Sequence, residues 1–236
     1  MSWFAAAILT RMRFPLFKPM RQLSRGQWLL LTTTSLTLIL VIPTGRILAD
    51  SASITRDESR IVAVCTSAPS LFKSLSMLIG AVFSTNVTVM LLTFTLLYLA
   101  WRYRSGLQTI RAAVISLTPL ATVLVVKIAV GRNRPDTPLG SLASDPSFPS
   151  GHVASSIAIV TLLLFIMRMH DRQRPDVANI RIVRARLAFK ILLLTLPALT
   201  AASRLVLGMH YPSDVLTSLV LCSLLTSSLY AITLPE

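Results

Sequence analysis

Apolar residues in this chain come in long blocks instead of alternating with polar ones. Six blocks stand out, at about 28–48, 84–101, 107–130, 153–169, 187–203 and 214–233. Crossing the hydrocarbon core of a bilayer takes about 20 apolar residues in a helix. The pattern therefore predicts an all-α, polytopic membrane protein, a bundle of about six transmembrane helices. Residues 54–65 and 69–82 are also apolar, but Arg56, Asp57, Glu58, Arg60, Pro69 and Lys73 interrupt them. They read as short interfacial helices on the outer side. The stretch "WFAAAILT" near the start is short, and basic residues follow it instead of preceding it, so it does not read as a cleavable signal. The expected division is a basic cytoplasmic segment at 1–27 and one six-span domain at 28–236.

Composition agrees with the membrane reading. Of the 236 residues, 53% are hydrophobic and 14% charged, against about a quarter charged in soluble domains. The net charge of +14 raises nucleic acid as a partner, but its distribution argues against one. Arg11, Arg13, Lys18, Arg21 and Arg25 precede the first block, and Arg102, Arg104 and Arg111 separate the second from the third. Arg168, Arg172, Arg174, Arg181, Arg184, Arg186 and Lys190 separate the fourth from the fifth. Six spans put all of these on one side, which the positive-inside rule makes cytoplasmic together with both termini. The charge is thus a topology signal, and no nucleic-acid partner is expected. Cys65 and Cys222 are too few for a disulfide framework and read as free thiols.

Some polar residues are left over. Around the first outer loop, Arg46, Arg56, Arg60 and Lys73 accompany Asp50, Asp57 and Glu58, and ordinary surface pairing accounts for them. Lys127, Arg132, Arg134 and Arg204 have no such explanation. Lys127 closes the third block, Gly131 is a plausible helix end, and Arg134 is held extended by Pro135. Ser150, Gly151 and His152 open the fourth block, where a helix N-terminus offers free N–H groups to an anion. Ser203, Arg204, His210 and Asp214 lie around the turn between the fifth and sixth blocks, with Pro212 in a good first-turn position. Each feature alone has an ordinary reading: a snorkelling lysine, a cap, a satisfied His–Asp pair. Together they fall on one side of the membrane, bringing several oxyanion donors and two groups that move protons near neutral pH. Arginine forks suit phosphate oxygens, so the set suits phosphoryl transfer.

These residues also carry a resemblance. "KIAVGRNRP" (127–135), "PSGH" (149–152) and "SRLVLGMHYPSD" (203–214) match K-x6-R-P, P-S-G-H and S-R-x5-H-x3-D. The chain resembles the type-2 phosphatidic acid phosphatase superfamily, which includes the vanadium haloperoxidases, from about residue 54 to the C-terminus. The resemblance implies that His210 is the nucleophile and forms a phosphohistidine, that Asp214 orients it, and that His152 is general acid and then base. It implies that Lys127, Arg134, Ser150, Gly151 and Arg204 bind phosphate. Arg132 is a weaker candidate for the same role, and Asp136 and Asp145 read as solvated.

The expected activity is hydrolysis of a lipid-anchored phosphate at the outer rim of the bundle. Polyprenyl diphosphate, phosphatidylglycerol phosphate and phosphatidic acid are the candidate substrates, and the short connection 136–148 favours a small headgroup. No clustered carboxylates suggest a metal, so neither metal nor cofactor is expected. Two alternatives remain open: a phosphotransferase that passes the phosphate to another hydroxyl, and a lipid transporter or binding protein with a vestigial site. In a bacterium the membrane would be the cytoplasmic one.

Overall fold

The computed structural model describes residue 17 and residues 22–173 and 180–233. Arg11, Arg13, Lys18, Arg21 and Arg174 lie outside the described residues, as does most of the basic N-terminal segment. Eight helices form among the described residues, with no strand. They are α1 (Arg25–Asp50), α2 (Ala52–Thr66), α3 (Ser70–Val82), α4 (Thr85–Tyr103), α5 (Gly106–Val130), α6 (Gly151–Gln173), α7 (Ile180–Val206) and α8 (Pro212–Thr233).

Local sequence sets the ends. Ser24 and Gln27 form a reciprocal capping box that starts α1. The Gln27 side chain also donates to the Ala231 carbonyl, 3.2 Å away at the end of α8. The Thr-rich run of α1 is tolerated because its hydroxyls bond back to the helix: Thr33, Thr34 and Thr37 each donate to the carbonyl four residues earlier at 2.8 Å. Thr34 also meets the Ser228 hydroxyl at 2.7 Å, tying α1 to α8. Gly131 ends α5 in the left-handed region at φ 68°, and its N–H closes on the Lys127 carbonyl.

Four helices, α1, α5, α6 and α8, are long and apolar enough to cross a membrane, and the α2–α3 pair, bent by 109°, makes up to five. Helices also form at the second and fifth predicted blocks, as α4 and α7, without reaching that threshold. Threonines and Arg102 dilute the apolar run of α4, and α7 carries Arg184, Arg186, Lys190 and Arg204. Large apolar side chains on the outer faces stay uncovered, with Ile39 of α1 69% exposed and Ile128 of α5 73% exposed. Such surface suits lipid and not water.

Helix α6 is the centre of the bundle. Its Ala158, Leu162 and Phe165 pack with Leu92 and Leu99 of α4 and with Ala112 and Ile115 of α5. One turn nearer its N-terminus, Val153, Ala154 and Ile157 meet Val123 of α5, Ala201 of α7, and Val215 and Cys222 of α8. Burying one such side chain is worth about 1.5–3 kcal/mol relative to water. Within lipid the gain comes from close packing, which small residues favour. Cys65 and Cys222 are free thiols. The antiparallel packing of α5 to α8 brings the C-terminal ends of α5 and α7 beside the N-terminal ends of α6 and α8. The bent α2–α3 pair packs against α7 near this end.

Candidate active site

Every motif residue singled out from the sequence lies at that one end. Lys127 is on the last turn of α5, Ser150 just precedes α6, and Gly151 and His152 open it. Arg204 is on the last turn of α7, His210 in the 207–211 turn, and Asp214 in the first turn of α8.

The α5–α6 connection folds back over the site. Ser147 N–H bonds the Arg132 carbonyl at 2.8 Å and its hydroxyl donates to the Asn133 carbonyl at 2.9 Å. Phe148 is fully buried against α1, where Gly45 leaves room for the ring: a Cβ on Gly45 would stand 2.6 Å from Phe148 Cε1. The Phe148–Pro149 peptide is cis. Ser150 is locked to α8 by its own N–H to the Asp214 carbonyl (3.2 Å) and by the Ser218 hydroxyl to its carbonyl (3.0 Å). Its own hydroxyl is buried and, among the described residues, has no hydrogen-bond partner. A buried, unpaired donor at a helix N-terminus is costly unless a ligand fills it.

His210 is completely buried. Its Nε2 lies 3.3 Å from Arg134 Nη1 and its Nδ1 3.4 Å from Asp214 Oδ2. A guanidinium is only a donor, so the Arg134 contact requires the lone pair on Nε2 and places the proton on Nδ1, toward the carboxylate. At 3.4 Å the Nδ1 contact is long and leaves that nitrogen without a properly formed hydrogen bond. Catalytic hydrogen bonds are often loose before substrate arrives. Burial disfavours the imidazolium and outweighs the adjacent Asp214 carboxylate, holding the His210 ring below the ordinary histidine range. His152 is half-buried.

Lys127 and Arg134 share one anion. Lys127 Nζ donates to Asp145 Oδ2 at 2.7 Å and also to the Pro146 carbonyl; Arg134 Nη2 donates to Asp145 Oδ1 at 2.7 Å. Half-burial alone would raise the Asp145 carboxyl, but the Lys127 ammonium and the Arg134 guanidinium prevail and hold it at about 2. Asp145 is therefore an ion-paired part of the cationic seat and not simply a solvated loop residue, although its side chain keeps 56% exposure. Asp136 is exposed, as expected.

Arg204 is 2% exposed. Its Nη2 donates to the Ser76 carbonyl of α3 at 2.8 Å, its Nε to the Ser203 hydroxyl at 3.1 Å, and its Nη1 reaches only the Met209 thioether at 3.5 Å. Arg134 bonds the carbonyl of the same Met209 at 2.8 Å, so the two guanidiniums converge there. Gly151 leaves space beside Lys127: a Cβ on it would lie 3.7 Å from Lys127 Cε, with no closer neighbour.

Two further expectations change. Arg132 does not face the seat: its Nη1 donates to Asp214 Oδ1 (2.8 Å) and Ser213 Oγ (2.7 Å), and its Nη2 to Glu58 Oε2 (2.6 Å). Glu58 is accordingly 8% exposed and no surface partner, whereas the neighbouring Arg60–Asp57 pair is an ordinary exposed one. No local pattern distinguishes Glu58 from Asp57; the helical phase of α2, which puts Glu58 and Val62 on its buried face, is the signal that does. Among the described residues, no group of three or more His, Cys, Asp or Glu side chains is arranged to hold a metal ion.

Sequence comparison with curated proteins gives no match. Among solved structures, the fold matches the crystal structure of a transmembrane PAP2 type phosphatidylglycerolphosphate phosphatase from Bacillus subtilis. The TM-score is 0.66 at 19% identity, over 84% of this chain and 94% of that one. The model of the PAP2 superfamily matches residues 108–235, more than half of the chain and the whole of the three motifs. The chain belongs to the PAP2 superfamily.

Proposed function

We propose that this protein is an integral membrane phosphatase that hydrolyses a phosphate ester or diphosphate carried by a lipid, through a phosphohistidine on His210. The observation that carries this reading is the position of the His210 imidazole. It stands between the Asp214 carboxylate at 3.4 Å and the Arg134 guanidinium at 3.3 Å, with Arg134 also part of the cationic seat.

In the first step the Nε2 lone pair attacks phosphorus and the bond from phosphorus to the leaving oxygen breaks. His152, as imidazolium, gives its proton to that oxygen. The proton on Nδ1 of His210 stays in place, and the positive charge that develops on the ring is offset by Asp214. The added charge on the non-reacting oxygens falls on Lys127, Arg134 and Arg204, with the Ser150 hydroxyl and the Gly151 N–H at the α6 N-terminus. The weak thioether contact of Arg204 Nη1 leaves that nitrogen ready to exchange for a phosphate oxygen. In the second step water attacks phosphorus, His152 takes its proton, the P–N bond breaks, and inorganic phosphate leaves with His210 neutral again.

Six spans, with α4 and α7 crossing beside the four most apolar helices, would put both termini in the cytoplasm and the site at the outer rim. There a headgroup reaches His210 while its chain stays in lipid. A phosphatidylglycerol phosphate, a phosphatidic acid or a polyprenyl diphosphate would each fit that arrangement.

The test is a panel of these lipid phosphates with purified protein in detergent, using a 32P label. The parent is expected to release phosphate and to yield an acid-labile phosphoprotein on rapid quenching. His210→Ala should lose about 10⁴-fold or more of kcat and all of the label, and His152→Ala should lose about 10²–10⁴-fold. Unchanged turnover in folded His210→Ala would end the proposal.

A further inference from the structure

We infer that Glu58 and Arg132 form a positioning relay that fixes the orientation and charge of Asp214 and, through it, the ring of His210; this rests on the reading of His210 as the nucleophile. Asp214 has no solvent exposure. A carboxylate in that setting is stable only when its oxygens are fully engaged. Its Oδ2 accepts the Tyr211 N–H at 2.9 Å and faces His210 Nδ1. Its Oδ1 accepts Arg132 Nη1 at 2.8 Å. Arg132 thus decides which way the carboxylate plane faces and leaves Oδ2 for the imidazole.

Arg132 is held in turn. It is 2% exposed, its guanidinium lies 4.3 Å over the Tyr211 ring, and its Nη2 is bound to Glu58 at 2.6 Å. Glu58 also reaches the first turn of α8: Oε1 accepts the Ser213 N–H at 2.7 Å and Oε2 the Ser213 hydroxyl at 3.0 Å. The Ser213 N–H is one of the free donors of a helix N-terminus, and a carboxylate there is favoured by the helix dipole. One side chain of α2 therefore pins the start of α8 and the arginine behind the catalytic pair. Glu58 lies outside the 108–235 family match, and both Arg132 nitrogens that face carboxylates point away from the anion seat. The pair acts on chemistry only through Asp214, so neither residue is expected to touch substrate.

The experiment compares parent, Arg132→Gln, Arg132→Lys and Glu58→Gln as full-length protein in detergent, with two readouts. The first is 15N spectroscopy of the three histidines, which needs no turnover. The parent is expected to show His210 as the single neutral tautomer protonated at Nδ1. Arg132→Gln should keep that tautomer, which Arg134 holds, and move the His210 titration upward by about half a unit to one unit, because Asp214 then presents its charge uncompensated. The other charged or titratable groups around His210 are Lys127 from α5, His152 from α6, Arg204 from α7 and Arg134 from the connecting loop; all are unchanged in the variant.

The second readout is kinetic. Arg132→Gln should lower kcat about tenfold to a hundredfold, leave KM within about threefold, and shift the acid limb of the rate profile upward with the titration. Arg132→Lys should recover part of the loss, and Glu58→Gln, which keeps the volume, should show the same changes at smaller size. It also keeps the test open if Arg132→Gln does not fold. A folded Arg132→Gln with the parent titration overturns the relay; a silent Glu58→Gln overturns the part of Glu58. A parent without phosphatase activity would sink the functional reading alone, since the spectra still report the relay.

Discussion

Arg134 holds Asp145 twice, through Nη2 on the carboxylate at 2.7 Å and through Nε on the backbone carbonyl at 3.0 Å. With Lys127 on the other carboxylate oxygen, Asp145 occupies the cations that the family resemblance reserves for phosphate. Under the proposed function, an anion entering the seat would have to displace that carboxylate, so Asp145 would compete with both substrate and product.

Asp145→Asn is therefore predicted to tighten inorganic phosphate. Because the carboxylate is 56% exposed, solvent screens part of the pairing, and the gain is about threefold to tenfold in Kd. Titration calorimetry with phosphate in detergent measures it directly, and product inhibition should strengthen in parallel. Equal or weaker phosphate binding by the variant would show that the carboxylate does not compete.

A second prediction concerns a residue with no chemistry. A Cβ on Gly80 of α3 would lie 2.7 Å from Arg204 Nη1 and 2.8 Å from Cζ. The guanidinium is fully enclosed and cannot give way without breaking its bond to Ser76. Gly80→Ala should favour the isolated helix by about 1 kcal/mol yet displace Arg204, costing about 10²-fold in kcat/KM. Kinetics alongside a thermal melt separate the two effects; parent kinetics in the variant would mean that Arg204 has freedom the packing denies it.

Much of the site was legible because its chemistry sits where patterns break. Lys127, Arg134, Arg204, His210 and Asp214 are polar residues beside apolar blocks, and the block count alone brings them to one end. Helix ends followed from Gly131 and Pro212, whose backbone requirements are local. Glu58 and Asp145 were not legible. Both sit among other charged or polar residues, where a buried ion pair and an exposed one look alike. Their partners, Arg132 and the Lys127–Arg134 pair, become neighbours only through tertiary packing. Gly80 belongs with them, since nothing in "LIGAV" announces an arginine from another helix. The span count shows a different limit: the polar dilution of α4 and the basic residues of α7 weaken the composition signal even where a helix forms.

Removal of divalent metal is predicted to leave turnover unchanged. Under the proposed function, Lys127, Arg134 and Arg204 would supply the positive charge that a metal would otherwise bring to the phosphate oxygens. Assays after EDTA treatment and gel filtration check this; activity lost on chelation and restored by a divalent ion would contradict it.

The last prediction is a pH dependence, and its sign follows from burial. As the proposed nucleophile, His210 would work only as neutral imidazole. Complete enclosure of His210 disfavours its charged form, and the Asp214 carboxylate only partly offsets that, so the ring stays below the usual histidine value of 6.5. Protonation then begins at lower pH than for an exposed histidine, and the fraction of reactive His210 remains high through neutrality. The acid limb of kcat/KM is expected below about pH 6.5. Asp214→Asn separates the contributions. Without the carboxylate the imidazolium loses the charge that stabilises it, so the acid limb should move lower still while the maximal rate falls by about 10⁴-fold, the size of the loss when the orienting carboxylate of a hydrolytic triad becomes an amide. An acid limb that stays put or rises in folded Asp214→Asn would mean that some other group governs it.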